Sequence, residues 1–110
     1  MRNLEARYYV DPGLFERERA TIFHRAWNYV GPATAVASPG SYLAADIAGA
    51  GVVAVRSADG GLRAFRNVCR HRGASLLPVG AGACSTIRCP YHHWVFDDHG
   101  SLVAAPHFGD

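Results

Sequence analysis

The chain has no lysine, and all eleven of its basic residues are arginine. Against nine carboxylates this leaves a formal charge of only +2, too small a surplus to argue for a nucleic-acid partner. Charged residues make up just 18% of the sequence while 49% is hydrophobic, which excludes a disordered chain and fits a globular one. No apolar run approaches the roughly 18 residues that a membrane span needs. Arg2, Glu5 and Arg7 interrupt the amino end, so the apolar centre of a signal peptide is missing and a cytoplasmic, reducing location is expected. Three cysteines cannot make a complete set of disulfides. Under reducing conditions, cysteines set close to histidines are more often metal ligands than bridges. The 110 residues fit one domain, which at this size buries only about 60–70% of its unfolded surface. A metal group joining two loops would reinforce so small a core.

What is present divides into a helical and a β part. Asp11-Pro12-Gly13-Leu14-Phe15 reads as a helix start, with Asp as the cap and Pro in the first turn. Phe15, Ile22, Phe23, Ala26 and Trp27 then form an approximate apolar stripe, opposite Glu16, Arg17, Glu18, Arg19 and Arg25. The pattern predicts an amphipathic helix of about three to four turns whose stripe packs into the core. From Tyr29 onward, short β-like runs alternate with turn residues. Strands are predicted at 41–47, 51–57 and 62–66, the last two joined by an Asp59-Gly60-Gly61 turn that needs positive φ. Residues 69–83 read as a long loop and 85–88 as a short strand. Residues 94–96 should form a hairpin with 101–104 around Asp97-Asp98-His99-Gly100. The expected fold is mainly β: a small antiparallel domain over 29–110, preceded by a helical arm over 1–28.

The chemistry concentrates in Cys69-Arg70-His71-Arg72-Gly73 and Cys89-Pro90-Tyr91-His92. Each loop offers one Cys and one His, first as C-x-H and then as C-x2-H, with seventeen residues between His71 and Cys89. Two facing loops of this kind can direct both thiolates to one iron and both imidazoles to a second. Neutral imidazoles in place of two thiolates remove negative charge, raising the reduction potential from about −400 mV to about −150 mV or above. Zinc also takes two Cys and two His, although common zinc modules group like ligands together along the chain and here they alternate. A zinc-stabilised interaction module is therefore the competing reading. Asp97, His99 and His107 supply the residue types of a two-His, one-carboxylate iron site, but on and beyond a hairpin turn. Cys84 lies off the ligand pattern and reads as a small buried or half-buried residue. Arg70 and Arg72 are either solvated loop charges or a means of steering an acidic electron donor.

Cys69-Arg-His-Arg-Gly-Ala-Ser-Leu-Leu followed by Cys89-Pro-Tyr-His-His-Trp-Val-Phe-Asp resembles the Rieske domain of aromatic-ring-hydroxylating oxygenase (dioxygenase) α subunits. Ala26-Trp27-Asn28-Tyr29-Val30-Gly31, Ser38-Pro39-Gly40-Ser41-Tyr42, Arg66-Asn67-Val68-Cys69 and Gly100-Ser101-Leu102-Val103 match in kind, so the resemblance covers nearly the whole chain. It implies one 2Fe–2S cluster on Cys69, His71, Cys89 and His92, with no catalytic residue in this stretch. It also implies electrons arriving from a ferredoxin or reductase. They would leave for a mononuclear Fe(II) in a separate oxygenase catalytic domain, possessed by a neighbouring subunit of a trimer. The chain would then be a truncated or split α subunit; a stand-alone Rieske ferredoxin is the alternative. Ala74 and Tyr91 stand where the Rieske proteins of cytochrome bc complexes have a disulfide, and Trp94 stands where those have a Ser donor, so a low potential is implied. His93 departs from the family's Gly after the second His; the family spacing selects His92 as the ligand.

Overall fold

A computed structural model describes residues 3–106. Helix α1 (Arg7–Val10) is a single turn, and α2 (Pro12–Glu18) follows it. Asp11 caps α2 as its sequence suggests, its carboxylate accepting from the backbone N–H of Gly13 at 2.8 Å and of Leu14 at 3.3 Å. The regular helix then ends early. The Thr21 hydroxyl donates to the Arg17 carbonyl at 2.6 Å, and the backbone widens into a π-helical turn over Arg19–Phe23. The Asn28 amide closes the segment by donating to the carbonyls of Phe23 and Ala26. Consequently the predicted stripe does not pack into the core. Trp27 is fully exposed, while Phe15, Ile22 and Phe23 keep from 36% to 51% of their surface in water. The arm touches the β body chiefly at one hairpin tip, where His24 Nε2 lies 3.3 Å from the Ile47 carbonyl and Arg19 packs at Gly49. The described molecule measures 61 × 35 × 19 Å.

Strands β1 (Ser41–Ile47), β2 (Ala50–Arg56), β3 (Leu62–Arg66) and β4 (Gly80–Ala83) form one antiparallel sheet in the order β3-β2-β1-β4. The first and third match the predicted strands, and the second starts one residue sooner. The β1–β2 turn places Ala48 and Gly49 at positive φ, and the Asp46 carboxylate accepts from the Gly49 N–H. In the β2–β3 turn Gly60 has φ +82°, and Asp59 accepts from the Gly61 N–H and from the Arg63 guanidinium. Strand β4 corrects the reading of 69–83 as loop throughout. Its sequence, Gly-Ala-Gly-Ala, carries no strand signal because Tyr42 of β1 lies across it. A Cβ at Gly82, the register partner of Tyr42, would come within 2.5 Å of the phenol ring.

A second sheet joins β5 (Ile87–Arg88), β6 (Val95–Phe96) and β7 (Leu102–Ala104) in the order β5-β6-β7. Between the sheets Val53, Val55, Ile87 and Phe96 are almost wholly buried, and Cys69 and Cys89 pack among them. At the turn ends the sheets are fastened directly. The Ser57 hydroxyl donates to the Asp98 carbonyl, and the Ala58 N–H donates to the Asp98 carboxylate at 2.7 Å.

Candidate metal centre

The two cysteine loops, one after β3 and one before β6, are built on the same backbone turn. In the first, the Cys69 N–H donates to the Ala74 carbonyl at 2.7 Å and the Gly73 N–H donates back to Cys69 at 2.9 Å. In the second, the Cys89 N–H donates to Trp94 at 2.8 Å and the His93 N–H donates back to Cys89 at 3.1 Å. Both turns need positive φ at their fifth residue, which is Gly73 (+73°) in one and His93 (+61°) in the other. Histidine is tolerated there better than most side chains, which accounts for its presence in a position suited to glycine. Counted along this shared frame, His71 corresponds to Tyr91 and Arg72 to His92. The change from C-x-H to C-x2-H is thus a one-residue shift of the imidazole along one turn.

The frame brings the four sequence-selected side chains together as two like pairs. Cys69 and Cys89, 2% and 1% exposed, sit at the base within mutual hydrogen-bonding reach. Nearer the surface, the rings of His71 and His92 have centroids 4.6 Å apart, tilted by 54°. Each sulfur also faces two backbone N–H donors, from His71 and Arg72 at Cys69 and from Tyr91 and His92 at Cys89. Burial pushes the Cys69 thiol up. At Cys89 burial acts in the same direction, but the N–H groups of Tyr91 and His92 and the neighbouring thiol outweigh it, so its net shift is downward. The pairing of like donors suits a binuclear group, with two anionic sulfurs for one metal and two imidazoles for the other.

Aromatic side chains from the second loop cover both imidazoles. Trp94 stacks on His71 at 4.8 Å with only 10° between planes, and the Tyr91 ring lies 3.7 Å from that of His92. Asn67, 5% exposed, secures the chain beyond the first loop: its amide donates to the Leu77 carbonyl at 2.7 Å and accepts from the Leu77 N–H at 2.9 Å. Sequence reasoning missed the Trp94 stack and the Asn67 clamp, which join residues ten or more positions apart.

The remaining candidates fall elsewhere. Asp97 uses its carboxylate to accept from the backbone N–H of His99 and Ser101, which shapes the hairpin turn, and His107 lies outside the described residues. Cys84 is half-buried against the core, and burial raises its thiol pKa. Arg70 and Arg72 are exposed. They belong to a longer imbalance, since Arg63, Arg66, Arg70, Arg72 and Arg88 lie between Asp59 and Asp97 with no carboxylate among them.

Comparison with known proteins gives this geometry its class: the chain belongs to the Rieske [2Fe-2S] domain family, which matches residues 26–110. Its cofactor is therefore one Rieske-type 2Fe–2S cluster. The carnitine monooxygenase oxygenase subunit of Escherichia coli K12 is 40% identical over 102 residues, covering 93% of this chain and 27% of that protein. The large oxygenase component of the naphthalene 1,2-dioxygenase system of Pseudomonas aeruginosa is 42% identical over 96 residues, covering 87% and 21%. Among solved structures, the quaternary ammonium Rieske monooxygenase CntA with L-carnitine superposes with a TM-score of 0.83 at 39% identity, covering 92% of this chain and 29% of that one. Naphthalene 1,2-dioxygenase with indole bound gives a TM-score of 0.81 at 40% identity, covering 88% and 22%. The chain thus spans about a quarter of the length of these relatives. These findings bear out the mainly β fold and its likeness to oxygenase α subunits, and they favour an iron–sulfur cluster over zinc. No described helix is long and apolar enough to cross a membrane.

Proposed function

We propose that Cys69 and Cys89 hold one iron of the cluster and His71 and His92 the other, and that the chain is the electron-transfer part of a ring-hydroxylating oxygenase α subunit. The observation that carries the ligand assignment is the pairing of like donors across two equivalent loops. The cluster supplies one-electron chemistry at low potential. The chain's own residues keep the sulfurs dry, donate N–H groups to them, and leave the imidazole edge half-exposed for transfer. On this reading a ferredoxin or reductase delivers electrons beside the exposed Arg70 and Arg72. They pass to a mononuclear Fe(II) in an oxygenase catalytic domain, reached in a neighbouring subunit of a trimer. Residues 1–28 act as an arm and 29–110 as the cluster domain, working in the cytoplasm without nucleic acid or membrane. The exposed aromatic stripe of the arm favours a domain of a larger assembly over a free ferredoxin, because a lone carrier would leave Trp27 and its neighbours in water.

Iron and acid-labile sulfide analysis of the purified protein tests the assignment. Two of each per chain are expected, with a rhombic EPR signal on reduction, and both should vanish in Cys89→Ala. A Cys89→Ala protein that kept its colour would remove the ligand set.

A further inference from the structure

We infer that Trp94 is a positioning residue that fixes the ring plane of His71 from across the site. The inference rests on His71 being a ligand. The backbone of residue 94 closes the second loop by accepting from the Cys89 N–H, yet Ala74 does the same in the first loop with only a methyl group. The turn therefore has no need of an indole, and the side chain serves something else. It is packed against the core, which holds it still, and it lies within 10° of parallel to His71. Rotation of an imidazole about its Cβ–Cγ bond is otherwise broad and weakly determined. A bond to a metal through one nitrogen narrows that freedom without fixing the tilt of the ring, and a stacked neighbour fixes it further; partners of this kind tune the metal. The stack also joins the loops: the second loop supplies the face that orients the first loop's imidazole, while its own His92 is covered by Tyr91 of the same loop.

The test compares Trp94→Phe, which keeps a flat ring, with Trp94→Leu, which keeps apolar bulk without a face. Both are made in the full chain and loaded with cluster. Trp94→Phe should retain the wild-type g-values and both nitrogen hyperfine couplings. Trp94→Leu should retain two irons and two coupled nitrogens but shift one coupling. It should also lose iron to a chelator about fivefold faster, in line with the worth of one ring stack. Should Trp94→Leu not fold, Trp94→Met provides the flexible non-aromatic comparison. Wild-type couplings and chelation rate in the non-aromatic variant would overturn the inference, as would equal shifts in it and in Trp94→Phe. A His71→Ala protein that kept both nitrogen couplings would instead overturn the ligand assignment beneath it.

Discussion

Replacing Asn67 by alanine should loosen the first cysteine loop without touching a cluster ligand. Asn67 is pinned to β2 by its backbone N–H, which donates to the Gly51 carbonyl at 2.9 Å. Its side chain then makes a reciprocal pair with both backbone groups of Leu77, at 2.7 and 2.9 Å, and a weaker contact with the Ser75 hydroxyl at 3.2 Å. A net hydrogen bond contributes about 1 kcal/mol, so losing the Leu77 pair in this largely buried place should cost about 2 kcal/mol. With an unfolding entropy of about 2.1 cal/mol/K per residue, a domain of this size should melt roughly 9 °C lower. Asn67→Asp should be no better, because it keeps the acceptor but sets a carboxylate oxygen against the Leu77 carbonyl. Ser75→Ala, which removes only the longer contacts, should melt close to wild type. Thermal melts followed by far-UV circular dichroism and by visible absorbance of the loaded protein provide the comparison. An Asn67→Ala protein melting within about 2 °C of wild type would refute the clamp.

The adjacent histidines should separate cleanly. His92→Ala is expected to lose one directly bound nitrogen in pulsed EPR and to cripple the cluster, while His93→Gly should keep both nitrogens and relieve the +61° φ, gaining up to about 1 kcal/mol. If His93→Gly lost the nitrogen instead, the ligand choice would be reversed. The Asp59 carboxyl, hydrogen-bonded first by Arg63 and then by the Gly61 N–H, is held down at about 2. Because the folded value lies below the ordinary 3.8, its contribution is present above pH 3.8 and disappears as the pH falls toward 2. A carboxyl carbon titrating near 4 by NMR would contradict the pairing. Arg70→Glu with Arg72→Glu should slow electron entry from an acidic donor and flatten its salt dependence in stopped-flow reduction, whereas Arg17→Glu on the arm should not. Equal effects at both places would argue against docking beside the loops.

What could be read from the sequence follows the range of the interactions concerned. Strands β1 and β3 were legible because alternation and their Asp/Gly turns are local signals. The cysteine loops were legible because ligand spacing is short-range and chemically restrictive. Strand β4 was hidden: its glycines are chosen by the ring of Tyr42, some forty residues earlier, and not by any propensity of their own. The arm misled for a related reason. Its stripe has helical spacing, but Thr21 and the π-helical turn end the regular helix, and nothing among the described residues covers Trp27. Gly73 and His93, which stands at the family's Gly position, both hinted at a turn, but the equivalence of the two loops emerged only from their backbone hydrogen bonds.

The fastening of Ser57 and Ala58 to Asp98 bears on what aligns the two cysteine loops. It joins the residues just after β2 to the turn just after β6. At this end the alignment of the two sheets rests on bonds that involve none of the cluster's proposed ligands. The far ends of the sheets thus help to set the register in which the two cysteine loops face each other.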